Sequence, residues 1–449
     1  MTRKQLFTLL ATIVGSSIVV LDGTVVNLAL PNIARNLHAS FADLQWIVDG
    51  YMLSLSALIL LGGSLGDVFG RKRTYLFGLV GFGVLSLLCG LAPDRNVLIG
   101  LRVLQGVFGA LLVPGALAII NTNFEKQARG KAIGRWAAWL SLGPALGPLL
   151  GGYIVGATSW RWIFFINIPL VVVCLVFGLI GIKETRDESQ RRLDVPGAVL
   201  TVLGLGGVTF GLIEGPVRHW DALVLTSLLV GVVSFALFVH AERRQKDPMV
   251  PLKLFRSRNF TGANLMTFAQ YGALSGFIFG LVIYLQTKMH YAPISAGASL
   301  LPVSILLFAL SGRIGGLVSK FGPRLFMSVG PLLCAAGMGW LFWLHPGVSY
   351  WVGVFPGAVL FGIGMALLVA PLTITVMASV ADTDSGIASG INNAVSRAAG
   401  LIVIALLGLF GAAHAYRFTV LLCAALAASA GVISFVVIRN LPVVRAARK

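Results

Sequence analysis

Long apolar runs alternate with short polar loops from one end of this chain to the other. Each run is long enough to cross a bilayer core of roughly 30 Å as a helix. The runs predict fourteen spans, at roughly 5–30, 44–65, 74–92, 97–120, 132–156, 162–182, 195–215, 221–240, 260–287, 294–318, 324–344, 350–374, 386–412 and 418–439. Helices satisfy their own backbone in lipid, whereas barrel strands would appear as short alternating segments. The expected class is therefore an all-α integral membrane protein.

The polar loops give the order and orientation of these spans. Twenty-six Lys and Arg residues fall in the termini and in the loops on one side. Six fall in the opposite loops, at Arg35, Arg95, Arg161, Arg218, Lys288 and Arg417. That bias places both termini in the cytoplasm. Spans 1–6 and 9–14 then form two halves of near-equal length around an extra pair. The expected domains are a six-helix bundle over 1–182, a linker with two additional helices over 183–259, and a second six-helix bundle over 260–449. The charged stretches 183–194 and 241–258 read as solvated connectors. Residues 312–324 (GRIGGLVSKFGPR) are a degraded echo of 63–73 (GSLGDVFGRKR) at the equivalent place in the second half. Internal duplication of this kind marks a secondary transporter, with its site between the halves near the midplane.

Composition agrees and excludes other classes. The chain has 449 residues, 57% hydrophobic and 11% charged, with mean hydropathy +0.90, which no soluble globular protein of this size shows. The net charge of +18 does not imply nucleic acid, because the cations lie in short loops. Arg3-Lys4 begins an apolar run too long for a signal peptide, so the first span is expected to be retained. The four cysteines sit inside apolar runs and form neither a disulfide nor a metal framework. The six histidines lie in loops or at span ends, with no metal-ligand spacing. There is no phosphate-binding loop motif, so ATP is not the expected energy source.

Four groups of residues carry the candidate chemistry. The first is a cytoplasmic gate in the opening loop. Gly63, Gly66 and Gly70 permit a tight turn and close helix approach, and Asp67 sits at a helix C-terminus that disfavours an anion. It needs a partner, most simply Arg71, Lys72 or Arg73. The second group is ionisable and lies at membrane depth, where charge is expensive and defaults to function. Asp22 is roughly 13 Å deep in span 1 and Asp49 roughly 8 Å deep in span 2. Arg102 lies in span 4, in the same outer half. An Asp–Arg pair that forms and breaks is the chemistry of proton coupling. Glu214 is expected at the interface.

The third group is a face of span 5. Gly143, Pro144, Gly147, Pro148, Gly151 and Gly152 place small residues every fourth position and two prolines among them, which predicts a hinge or seal between the halves. The fourth is a set of polar residues expected to line a substrate cavity: Asn27, Gln105, Gln270, Tyr271, Asn392, Asn393 and Arg397. No Asp or Glu falls within spans 9–14.

Together these motifs resemble the major facilitator superfamily, and within it the fourteen-span drug:proton antiporters. LDGTVVNLALP (21–31) is similar to the family's first-span signature. QWIVDGYML (45–53) and GSLGDVFGRKR (63–73) match its span 2 and loop 2–3 patterns. LRVLQGVFGA (101–110) resembles the span 4 motif with an embedded arginine, and WLSLGPALGPLLGGYI (139–154) resembles the span 5 motif of exporters. SWRWIFFINIP (159–169), YLQ (284–286) and GIASGINNAVSRAAG (386–400) are also similar.

The resemblance implies a major facilitator fold and a proton-coupled antiporter in the inner, cytoplasmic membrane. It would export amphipathic small molecules, drugs, dyes and antiseptics, by alternating access. Asp22 would be the main coupling acid, Asp49 a second one, and Arg102 the counter-ion. Many family members that expel cations also carry acids in the second-half spans; their absence here argues against a divalent-cation substrate. No cofactor is expected beyond protons as coupling ion. The expected partners are small amphipathic substrates and membrane lipid, with function as a monomer; the sequence identifies no periplasmic adaptor. A dedicated exporter of one metabolite or lipid-like compound has the same signature. A membrane-embedded enzyme or channel is the remoter alternative, since no nucleophile–base pair or metal-ligand set is present at membrane depth.

Overall fold

A computed structural model of the chain describes residues 1–186, 193–245, 248–381 and 384–440; these residues are helical, with no strand among them. In chain order the long helices are α1 (Arg3–Leu37), α2 (Phe41–Phe69), α3 (Arg71–Leu91), α4 (Arg95–Asn123) and α5 (Lys126–Ala157). α6 runs in two pieces, Trp162–Phe165 and Asn167–Gly181, followed by α7 (Val195–Glu214) and α8 (Ala222–Arg244). Then come α9 (Arg258–Thr287) and α10, which starts as Pro293–Ala298 and continues as Leu301–Phe321. The last are α11 (Pro323–Trp340), α12 (Tyr350–Gly353 and Phe355–Ala378), α13 (Ser385–Leu407) and α14 (Gly411–Val437). Among the described residues, thirteen helices are long and apolar enough to span a membrane. α5 contributes a shorter apolar stretch, Gly147–Ala157, within its 32 residues.

Polar caps set several boundaries. Thr2 and Ser40 each build a reciprocal capping box, with Gln5 and Asp43, which satisfies two orphan amide donors at each helix start. The Asp94, Asp194 and Asp221 side chains accept from amides in the first turns of α4, α7 and α8. Two helices start after a glycine instead. Gly70 (φ 105°) precedes α3 and Gly322 (φ 76°) precedes α11, in a region of backbone space that favours glycine.

The chain divides into two compact units. The first comprises 1–249 together with 282–298 and 404–413. Within it α2 and α4 lie in close backbone contact, since a Cβ on Gly62 would strike the Ala110 carbonyl and one on Gly106 the Tyr51 carbonyl. α1 packs on α5 and α6, and α7 lies between α2 and α8. The second unit comprises 250–281, 299–403 and 414–449. There α11 and α12 meet through Gly330 against Gly364 and Gly337 against Gly357. Small residues at helix crossings are expected where lipid tails are as apolar as leucine and dispersion contacts must drive packing. Conversely, Val84, Leu87 and Leu88 on α3 and Leu229, Val232 and Val233 on α8 are exposed, as lipid-facing side chains are.

Candidate functional site

The densest polar cluster lies inside the first unit, where α1, α3, α4 and α6 converge. Asp22 on α1 and Arg102 on α4 are 2% and 1% exposed. The Arg102 guanidinium donates through Nη1 to Asp22 Oδ2, forming a buried ion pair. The same Nη1 donates to Gln105 Oε1 at 2.6 Å, and Nε donates to the Ile47 carbonyl at 3.2 Å. The other carboxylate oxygen, Asp22 Oδ1, accepts from Gln105 Nε2 at 3.3 Å and Asn167 Nδ2 at 3.1 Å. Asn167 also donates to Ser86 Oγ at 2.9 Å, and Ser86 in turn donates to the Phe164 carbonyl at 2.9 Å. The guanidinium carbon lies 4.1 Å from the centroid of the Tyr51 ring, and that tyrosine's hydroxyl donates to the Val19 carbonyl at 3.2 Å. A buried ion pair is tolerated when its remaining donors and acceptors are also satisfied, and this network does that.

The spacing of the sequence explains how the pieces meet. Arg102 and Gln105 are three residues apart on α4 and share one face. Asn167 begins the second piece of α6, where the helix is interrupted after Phe165. Asn167, Ser86 and Tyr51 were not among the residues that sequence reasoning selected. The signal for Asn167 was a polar side chain inside the apolar run FFINIP.

Asp49 is placed differently. It is 0% exposed on α2, and neither of its carboxylate oxygens has a hydrogen-bond partner among the described residues. Arg102 therefore serves Asp22 and leaves the second acid unpaired. Asn27, on α1 beyond Asp22, is half-buried, and its amide oxygen has no partner among the described residues. Glu214 accepts from the Trp46 indole at 2.8 Å and pairs with Arg218 at 3.2 Å, which ties α7 to α2.

At the turn between α2 and α3, Arg71 donates to Asp67 Oδ1 at 2.7 Å through Nε, with Nη2 at 2.6 Å. That is the partner the helix C-terminus demanded. The connector that follows α6 is not simply solvated. Glu184 accepts from the amides of Lys72 at 2.9 Å and Arg73 at 3.1 Å, and Arg71 N–H reaches the Thr185 carbonyl at 2.9 Å. An anion from outside the helix thus caps α3, which has no side-chain cap of its own. Lys72 extends to the Leu179 carbonyl at 2.9 Å. In the second unit Asn440 occupies the matching place, accepting from Arg324 N–H at 3.3 Å beside Gly322.

Comparison with known proteins decides the family. The Major Facilitator Superfamily profile matches residues 12–404. The chain belongs to the major facilitator superfamily. It is 36% identical over 414 residues to the puromycin resistance protein pur8 of Streptomyces alboniger, covering 91% of this chain and 82% of that one. It is 34% identical to the tetracenomycin C resistance and export protein of Streptomyces glaucescens, over 91% and 76% of the two chains. Identity to the multidrug resistance protein Stp of Mycobacterium tuberculosis is 35%, again over 91% and 76%. An auto-inhibited POT family peptide transporter shares the fold with a TM-score of 0.73 over 100% and 99% of the chains, at 14% identity. A human organic anion transporter, MFSD10, does so at 0.67, over 97% and 100% and at 14% identity. The family and its membrane helices make this a multi-pass protein of the cell membrane.

In this major facilitator the span 5 face packs on two neighbours within the first unit. A Cβ on Gly147 would meet the Thr24 side chain, and one on Gly151 would meet Val25, both on α1. Gly152 lies against the Pro293 carbonyl, and Gly297 against the Pro148 carbonyl. The surroundings of Gly143 and Pro144 lie outside what the structure describes. Gly63 approaches Pro114 on α4. The remaining candidates lie in the second unit. Asn392 on α13 donates to Asn264 Oδ1 at 3.2 Å and Thr267 Oγ1 at 2.9 Å, both on α9. Gln270 is fully buried and donates to the Met365 sulfur at 3.7 Å, leaving its amide oxygen unpartnered among the described residues. Tyr271 and Arg397 are half-buried, and Asn393 is exposed. Gln105, read as a cavity residue, is 0% exposed and belongs to the Asp22 network.

Proposed function

We propose that this transporter is a proton-coupled antiporter that exports amphipathic small molecules from the cell. Drug export follows from the family and from relatives named for resistance to puromycin, tetracenomycin C and several drugs. The observation that carries proton coupling is the Asp22 carboxylate, buried and held by Arg102, Gln105 and Asn167. Proton uptake at Asp22 cancels the ion pair and one acceptor site together. The donors on α4 and α6 then lose their common anchor, and the helices can repack. Asp49 is the second acid, and its unpaired position fits a group that carries a proton, since an isolated buried charge is costly.

In this reading fourteen helices span the membrane, α5 included, with both termini cytoplasmic. Residues 1–182 and 260–449 form the bundles that rock against one another, and 183–259 carries the extra pair. Asp67 and Arg71 lock the cytoplasmic end. Asn27, Gln270, Tyr271, Asn392, Asn393 and Arg397 supply polar contacts in an otherwise apolar cavity, and the transporter works as a monomer. Reconstituted vesicles test it. With an imposed proton gradient, the wild type should export rhodamine 6G and Asp22→Asn should lose at least about tenfold of the rate. Undiminished gradient-driven export by Asp22→Asn would remove Asp22 from the coupling step.

A further inference from the structure

Two glutamines in the family-like motifs lie outside the Asp22 network and the candidate cavity residues. Gln45 begins QWIVDGYML and Gln286 ends YLQ. Each directs its amide N–H to backbone carbonyls far away in sequence. Gln45 on α2 is fully buried and donates to the carbonyls of Ile404 and, at 3.3 Å, Ala405. Both carbonyls lie in the last turn of α13, which ends at Leu407. The last four carbonyls of a helix have no partner within it, so a buried end needs donors from elsewhere. Gln286, at the end of α9, donates to the Leu28 carbonyl of α1 at 3.0 Å.

Close packing accompanies both bonds. A Cβ on Gly408 would press on Gln45 Oε1, and the Gly152–Pro293 and Gly297–Pro148 approaches are backbone against backbone. All these residues lie within the first unit, although 282–298 and 404–413 come from the second half of the sequence.

We propose that Gln45 and Gln286 are the latch that closes the extracellular end of the transporter. The latch rests on the alternating-access reading above. A neutral amide–carbonyl bond is weak enough to break in each cycle, and water takes both partners when they separate. Unlike the Asp67–Arg71 lock at the other end, it carries no charge and should be indifferent to salt.

A reporter cysteine tests the latch. Cys89, Cys174, Cys334 and Cys423 are replaced by Ala, and Asn27→Cys is labelled from outside the cell with a membrane-impermeant maleimide. Labelling should be slow with both glutamines present. Gln45→Leu or Gln286→Leu should speed it about fivefold, and the double variant about twentyfold. Gln45→Asn with Gln286→Asn keeps the amides but shortens their reach, and should give the same rise. The rate with both glutamines should change less than about twofold between about 0.05 M and about 1 M salt. Unchanged labelling in the folded double variants, a strong salt response, or failure of both double variants to fold would each overturn the latch. Absence of dye export by the wild type, with Asn27 intact, alongside labelling of the parent as predicted, would refute the export reading and leave the latch standing.

Discussion

Asp22 and Arg102 are the residues on which the account turns, and their burial makes them costly to separate. Removing one partner of a buried ion pair strands the other charge, at about 3–5 kcal/mol. Arg102→Met should therefore lower the thermal unfolding midpoint in detergent by many degrees, and more than Asp22→Asn does, because the latter keeps a polar group among the same donors. Equal midpoints for Arg102→Met and the wild type would show that the pair does not hold α1 to α4. Both residues were legible in the sequence, since a charge inside an apolar run is conspicuous. The Asp67–Arg71 pair was legible from its spacing of four. Asn167 was not, although its amide bridges Asp22 and Ser86 at 3.1 and 2.9 Å. A neutral polar residue in FFINIP carries no charge signal, and its role depends on where α6 is interrupted. Asp49 was found as an acid, but its lack of a partner is a matter of tertiary placement.

At the scale of the helices, α5 and α3 yield separate predictions. The glycine face of α5 was legible from its four-residue spacing, but the sequence could not say which glycine meets backbone and which meets a side chain. Gly152 lies against a carbonyl of Pro293, whereas Gly147 faces the Thr24 side chain. Gly152→Leu should abolish dye export and folding together. Gly147→Leu should stay folded and lower turnover with little change in apparent affinity, as steady-state export kinetics would show. Equal damage from both would mean that contact type at this face does not matter. α3 begins after Gly70 without a side-chain cap of its own, and Glu184 from the following connector supplies the anion. The charge-rich connector looked solvated because composition does not reveal where Glu184 lands. Glu184→Gln should destabilise the protein by about 0.5 kcal/mol, the usual size of an exposed helix-end interaction, and the loss should shrink in high salt when unfolding is followed in detergent.

The whole molecule follows from periodicity and duplication. Long apolar runs gave the helices, and the echo of 63–73 at 312–324 marked equivalent turns, which the structure builds with Gly70 and Gly322 in the same left-handed region. The partners of those turns, Glu184 and Asn440, sit far from them in sequence and in non-matching residue types, so the repeat alone did not reveal them. The first compact unit also takes in 282–298 and 404–413 from the second half of the sequence, a feature that hydropathy cannot show. In the proposed cycle, substrate moves in exchange for protons through Asp22. Its most direct measurement is the internal pH of proteoliposomes loaded with pyranine, recorded while rhodamine 6G flows down its own gradient with no proton gradient imposed. The wild type should move protons opposite to the dye, and Asp22→Asn should let the internal pH stay flat. Proton movement of the same size in Asp22→Asn, or dye flux in the wild type with no proton movement, would contradict the account.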